Sequence, residues 1–304
     1  MSVPTDNQPE FFPIIPDTTA PTSADPLAAR DVIDPNNPPW GLGGALTVLI
    51  SSIALQLFFS LLFFIPYALS RGLNPTSPDF GKELTEFALT DKTAILLQVL
   101  ALLPAHLLSF GIVWVVVTRF GKKPFLASLG WRWSHNVEIV KCVGLAFLLF
   151  GAAWGIAWLL GTEKQTALEQ IINSSVAARY SIAALAVFTA PFVEEFIYRG
   201  VLYSALQRLV GVTGAVVIVL GIFTLIHVPQ YWPNFGVIAA IGLLSIVLTI
   251  IRAYTGRLLP CVLIHFVFNG IQSVILLLEP LLPRLGPAPE PTTSLVLILV
   301  RSVL

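Results

Sequence analysis

Pro191-Phe-Val-Glu-Glu-Phe-Ile-Tyr-Arg-Gly200 sets two adjacent carboxylates and an arginine in a segment whose other residues suit the middle of a lipid bilayer. Ionisable groups at such depth are costly and mark function by default. On a helix, Glu195 and Arg199 stand four apart on one face with the acid nearer the N-terminus, the favourable order for an ion pair. Glu194 is rotated from its neighbour by about 100°, as 3.6 residues per turn require. Glu195 therefore reads as tied to Arg199, and Glu194 as free to act.

Outward from this stretch the chain stays apolar. Of its 304 residues, 56% are hydrophobic and only 11% are charged, and the mean hydropathy is +0.83. That composition excludes an ordinary water-soluble domain and predicts an all-α fold, a polytopic bundle of seven or eight transmembrane helices behind a disordered N-terminal tail. With 17 basic against 17 acidic residues and no basic cluster, nucleic acid is not an expected partner. Cys142 and Cys261 lie in apolar stretches without CxxC spacing, which fits packing residues better than a disulfide or a zinc site.

Residues 1–38 are rich in Pro, Asp, Thr and Asn and predict a disordered cytoplasmic tail. The first basic residue is Arg30, so this tail does not read as a signal peptide. Residues 39–170 carry the N-terminal helices, with spans expected at 42–69, 93–117 and 140–160, separated by polar loops at 70–90 and after 160. Residues 171–280 form the core, with helices at 180–209, 214–228, 235–251 and 259–278. Within the C-terminal segment 281–304, the apolar residues 294–304 are too short for a span by themselves. Gly151 and Gly155 form a GxxxG pair, read as ordinary packing.

The charges give an orientation. Arg30, Arg119, Lys122, Lys123, Arg132, Lys141, Arg208, Arg252 and Arg257 fall on the side of the N-terminus, against Arg71, Lys82, Lys92, Lys164, Arg179 and Arg284 opposite. The excess favours a cytoplasmic N-terminus.

Two of the four histidines occur at matched spacings, Phe223-Thr-Leu-Ile-His227 and His265-Phe-Val-Phe-Asn269, each pair sharing a helix face. Any one of these polar residues, taken alone, is more often an interhelical hydrogen bond than a catalyst. Together, two carboxylates and two imidazoles exceed what packing requires and are best accommodated facing one another inside a bundle. A carboxylate beside an imidazole can deprotonate water, and further donors can hold an oxyanion. His106, beside Pro104, reads as a bonded core histidine, His135 as a solvated loop residue, and Asn173-Ser174-Ser175 as a chance match to a glycosylation sequon.

The order Glu-Glu-x-x-x-Arg, Phe-x-x-x-His, His-x-x-x-Asn resembles the three motifs of the CPBP family, the Abi or CAAX-protease-like intramembrane endopeptidases, over roughly residues 180–280. The resemblance implies that Glu194 activates water with His227, and that His265 and Asn269 stabilise the oxyanion. It gives Glu195, Arg199 and Phe223 supporting roles. It further implies a membrane-associated peptide or protein substrate, CAAX-like and lipidated in some relatives, and linked to bacteriocin immunity in others. The family has been described both as glutamate-type without metal and as metal-dependent. Zinc held by Glu194, His227 and His265 is the alternative to the favoured metal-free mechanism. Two other functions compete: a proton-coupled transporter titrating Glu194, His227 and His265, and a non-proteolytic scaffold or immunity protein of the same fold.

Overall fold

The computed structural model describes residues 34–134, 137–161 and 164–281. His135, Glu163 and the segment 294–304 lie outside these residues, as does most of the predicted tail. Among the described residues the chain is helical, and its one β feature is an isolated bridge between Ser134 and Val137.

Helices α1 (Leu42–Ser70), α3 (Lys92–Thr118), α5 (Ile139–Leu160), α10 (Phe235–Thr255) and α11 (Leu259–Leu278) each have the length and apolar character to cross a bilayer. So does the continuous run Val176–Tyr231, which comprises α7 (Val176–Phe188), α8 (Ala190–Glu195), a π-helical turn (Phe196–Leu202) and α9 (Tyr203–Tyr231). The sequence predicts two helices in this run, divided near residue 211. The chain does turn there: Gly211 has φ 73° and ψ 174°, a conformation open essentially to glycine alone. The anticipated helix at 180–209 is less regular than its composition implies. It breaks first at Thr189 (φ −121°, ψ −47°), and Pro191 then opens α8, where its missing N–H costs nothing.

Both polar loops contain helices that the span pattern does not reveal. In the first, α2 (Phe80–Thr90) sets Leu84, Phe87 and Ala88 against Phe64 and Ala68 of α1. In the second, α6 (Ala167–Ser174) begins with a reciprocal cap between Thr166 and Glu169 and buries Ile172. A short turn, α4 (Phe125–Ser128), follows α3.

α1 packs along α3, α10 lies between α5 and α9, and α11 contacts α5 and α7. The tightest approach is not at the GxxxG pair, since no atom lies within 4 Å of a side chain built at Gly151 or Gly155. Close contact between α5 and α10 occurs instead at Gly236, where a Cβ would stand 2.7 Å from Ala157 Cα and 2.9 Å from the Gly161 nitrogen. Large apolar side chains cover the outside, among them Ile50, Leu107, Leu148 and Leu159, each more than 60% exposed. Only hydrocarbon matches such a surface, and backbone groups closed within helices can lie in it.

Candidate active site

Glu195 ends α8 and Arg199 lies within the π turn, and both are fully buried. Arg199 Nη1 donates to Glu195 Oε1 at 2.8 Å, the ion pair expected from their spacing. Three further bonds go to α10: Nη2 to the Ser245 carbonyl and Oγ at 3.1 Å each, and Nε to Thr249 Oγ1 at 3.3 Å. Phe223 closes the other side, its ring centroid 4.5 Å from the guanidinium carbon. With four hydrogen bonds and a π face against it, the cation can remain in an apolar bundle.

Across from this pair, α11 presents His265, which is 3% exposed and donates from Nδ1 to Glu195 Oε1 at 2.8 Å. A carboxylate only accepts, so the proton on Nδ1 is fixed by this bond and Nε2 carries the lone pair of the neutral ring. Nε2 faces Glu194 Oε2 at 3.8 Å. That separation is too long for a direct bond, but one water about 2.8 Å from each atom spans it. Glu194 is 23% exposed where Glu195 is not exposed at all. The two adjacent acids thus occupy different environments, as their different faces predict. Glu194 also lies within electrostatic reach of His106, Tyr198 and Tyr231.

His227 sits one turn along α9 from Phe223. Its ring is 4.6 Å from the Phe223 ring, and its Nδ1 donates to the Phe223 carbonyl at 2.7 Å, leaving Nε2 available. Among the described residues, no hydrogen bond joins His227 to Glu194. The imidazole beside Glu194 is that of His265, because α11 brings His265 to the level of α8 while His227 is held to its own helix. Asn269, one turn beyond His265, donates through Nδ2 to the Ala186 carbonyl of α7 at 2.9 Å. One amide hydrogen remains for any other acceptor.

His106 joins this neighbourhood from α3. It is buried, and its Nδ1 bonds Thr189 Oγ1 at 2.8 Å, at the break that begins α8. Sequence reasoning missed Ser245 and Thr249. Their spacing of four on an apolar helix is the same signal that singled out the histidines, but small hydroxyls are too common in such helices to stand out.

The zinc alternative needs Glu194, His227 and His265 to converge. Among the described residues no group of three His, Cys, Asp or Glu side chains is disposed to hold a metal ion.

The apolar helices and their exposed hydrocarbon-matching surface define an integral multi-pass membrane protein, with carboxylates and imidazoles gathered in its interior. Residues 176–271 match the family described as type II CAAX prenyl endopeptidase Rce1-like. The matched stretch is less than half of the chain but contains all three motifs, and it agrees with the resemblance read from them. It supports a CAAX-type intramembrane endopeptidase, whose surroundings are the bilayer and whose substrate is membrane-associated. No curated protein and no solved structure matches the chain.

Proposed function

We propose that this protein hydrolyses a peptide bond of a membrane-associated substrate, with Glu194 as the base that activates water. The observation that carries this reading is the 3.8 Å gap between Glu194 Oε2 and His265 Nε2. Glu194 removes a proton from the water, and its oxygen bonds to the peptide carbonyl carbon. The carbonyl electrons move onto oxygen, where the free N–H of Asn269 is one donor, and an imidazole, His227 or His265, becomes a second when solvent supplies a proton to its Nε2. Collapse breaks the C–N bond as Glu194 returns the proton to the leaving amine. Glu195, paired with Arg199, accepts from His265 Nδ1 and so keeps Nε2 turned towards Glu194.

An apolar recess beside the site, lined by Trp131, Phe192, Leu259, Val262 and Phe266, suits a hydrophobic or lipidated substrate. Its wall includes Phe192, two residues before Glu194, and Phe266, next to His265. The protein is assigned to the cell membrane with its N-terminus in the cytoplasm.

Purified protein assayed in detergent against a quenched peptide library, beside Glu194→Gln, tests the reading. Wild type should cleave, and the variant should be inactive with an unchanged melting temperature, because the amide keeps the shape but cannot act as base. Exhaustive chelation should leave turnover intact. Activity lost on removing zinc and restored on its return would move the protein to the metal-dependent mechanism. Proton-coupled uptake into vesicles without cleavage would move it to the transporter class.

A further inference from the structure

The segment 34–40 lies outside the family match and outside the three motifs, yet its contacts converge on the π turn that follows Glu194 and Glu195. Three arginines from different helices grip its backbone and side chains. Arg252 of α10, fully buried, donates to the Pro35 carbonyl at 3.0 Å and to Asn36 Oδ1 at 2.9 Å. Arg208 of α9 donates to Asn37 Oδ1 and the Pro38 carbonyl at 3.0 Å each, and to the Trp40 carbonyl at 3.2 Å. Arg119, at the end of α3, bonds the Pro39 carbonyl, and Gln207 bonds the Asn36 carbonyl at 2.8 Å. Proline supplies much of this strap, so its carbonyls have few partners within the strap itself.

The strap ends at Trp40, which is 4% exposed and whose indole Nε1 donates to the Val201 carbonyl at 3.1 Å. Val201 is inside the π turn. Widening a helix from i→i+4 to i→i+5 bonding displaces the carbonyls of that turn from their usual donors, and a buried carbonyl without a donor is costly. One turn further, Ser204 Oγ donates to the Gly200 carbonyl at 2.7 Å and accepts from Arg252 Nη2 at 3.1 Å. Two carbonyls of the π turn are therefore satisfied from outside the helix ladder, one by Trp40 and one by a serine locked to the arginine that holds the strap. Collapse of this turn to α-helix would rotate Glu194 and Glu195 relative to α9 by about 100°.

We infer that Trp40 is a positioning residue for the catalytic carboxylates, delivered by the arginine-held strap 34–40 to hold the π turn in its widened form. The inference rests on Glu194 and Glu195 serving the proposed hydrolysis, but the geometry of the turn can be read without any substrate. Trp40→Phe keeps the ring and removes the N–H, and Asn36→Ala loosens the grip of Arg252 from the other end of the strap. Both belong in the full chain, purified in detergent, with two readouts: kcat and KM on a peptide that the wild type cleaves, and hydrogen exchange of the backbone amides in residues 196–203.

Trp40→Phe should lower kcat on the order of tenfold to 100-fold, the scale of a small misplacement of catalytic groups. KM should stay near the wild-type value, and exchange should quicken in 196–203 while α1, α3 and α5 keep their protection. Asn36→Ala should show the same pattern to a smaller degree. Wild-type exchange at 196–203 in both variants, or exchange quickened equally throughout the bundle, overturns the inference. If the wild type cleaves no peptide, the hydrolase reading falls alone, and the exchange pattern still decides the role of Trp40.

Discussion

Glu195 Oε1 accepts from both Arg199 and His265, at 2.8 Å each, inside a shell without solvent. Glutamine at this position keeps the volume but leaves the Arg199 guanidinium without a counter-charge, a loss on the order of 3–5 kcal/mol when one member of a buried pair is removed. Glu195→Gln should therefore lower the melting temperature markedly, whereas Glu194→Gln, at a partly exposed site, should melt like the wild type. Equal melting of both variants would show that the two acids are not divided between support and chemistry. The difference in environment between the two acids was legible in the sequence because it follows from helical spacing alone. The environment of Arg199 was not: Thr249 Oγ1 also donates to the Ser245 carbonyl at 2.7 Å, the habitual bond of a hydroxyl within its own helix, and so neither residue announces an interhelical role. Which imidazole stands beside Glu194 was equally hidden, since it depends on the relative height of α9 and α11 rather than on spacing within either.

At the scale of the helices, the site depends on how closely α5, α10 and α11 approach. Gly236 opens this contact at the start of α10, and a methyl group there would meet the backbone of Ala157 and Gly161, which cannot move aside as a side chain could. Gly236→Ala should cost about 1–3 kcal/mol, the range for overpacking a well-packed interior, whereas Gly151→Ala, with open space around it, should leave melting unchanged. Thermal unfolding in detergent checks both. The GxxxG spacing was visible in the sequence, but whether such a pair meets a neighbour is set by the helix opposite. The capping box of α6 was also visible, as Thr166 followed three residues later by Glu169, though it was concealed by the polar composition around it. The π turn had no sequence signature, because its widened bonding is sustained by Trp40 and Ser204 from outside the turn. Asn269 joins α11 to α7 through the Ala186 carbonyl, which leaves its second amide hydrogen for another acceptor. Asn269→Ala should lower kcat on the order of 100-fold to 1000-fold with little change in KM, the signature of a lost oxyanion donor. Normal kcat with reduced melting would assign Asn269 wholly to the helix contact.

For the molecule as a whole, charge asymmetry predicts an orientation in the bilayer, and the strap gathers several of the basic residues that carry it. Arg119, Arg208 and Arg252 all bind the strap 34–40, so contacts put them on one side of the bundle, the side that the positive-inside rule would make cytoplasmic. Lys122, exposed in the turn after α3, shares that side, and Lys82, exposed on α2, lies on the other. Both native cysteines are free and buried, so they offer little background to a thiol reagent. In intact cells, Lys82→Cys should react with a membrane-impermeant maleimide and Lys122→Cys should not, and the order should reverse in inside-out vesicles. Labelling of Lys122→Cys from outside would invert the protein and place the strap, with the face of the bundle it covers, on the non-cytoplasmic side. It would leave the internal geometry of Glu194, Glu195 and His265 as it is, because that geometry depends on helix contacts rather than on which leaflet they face.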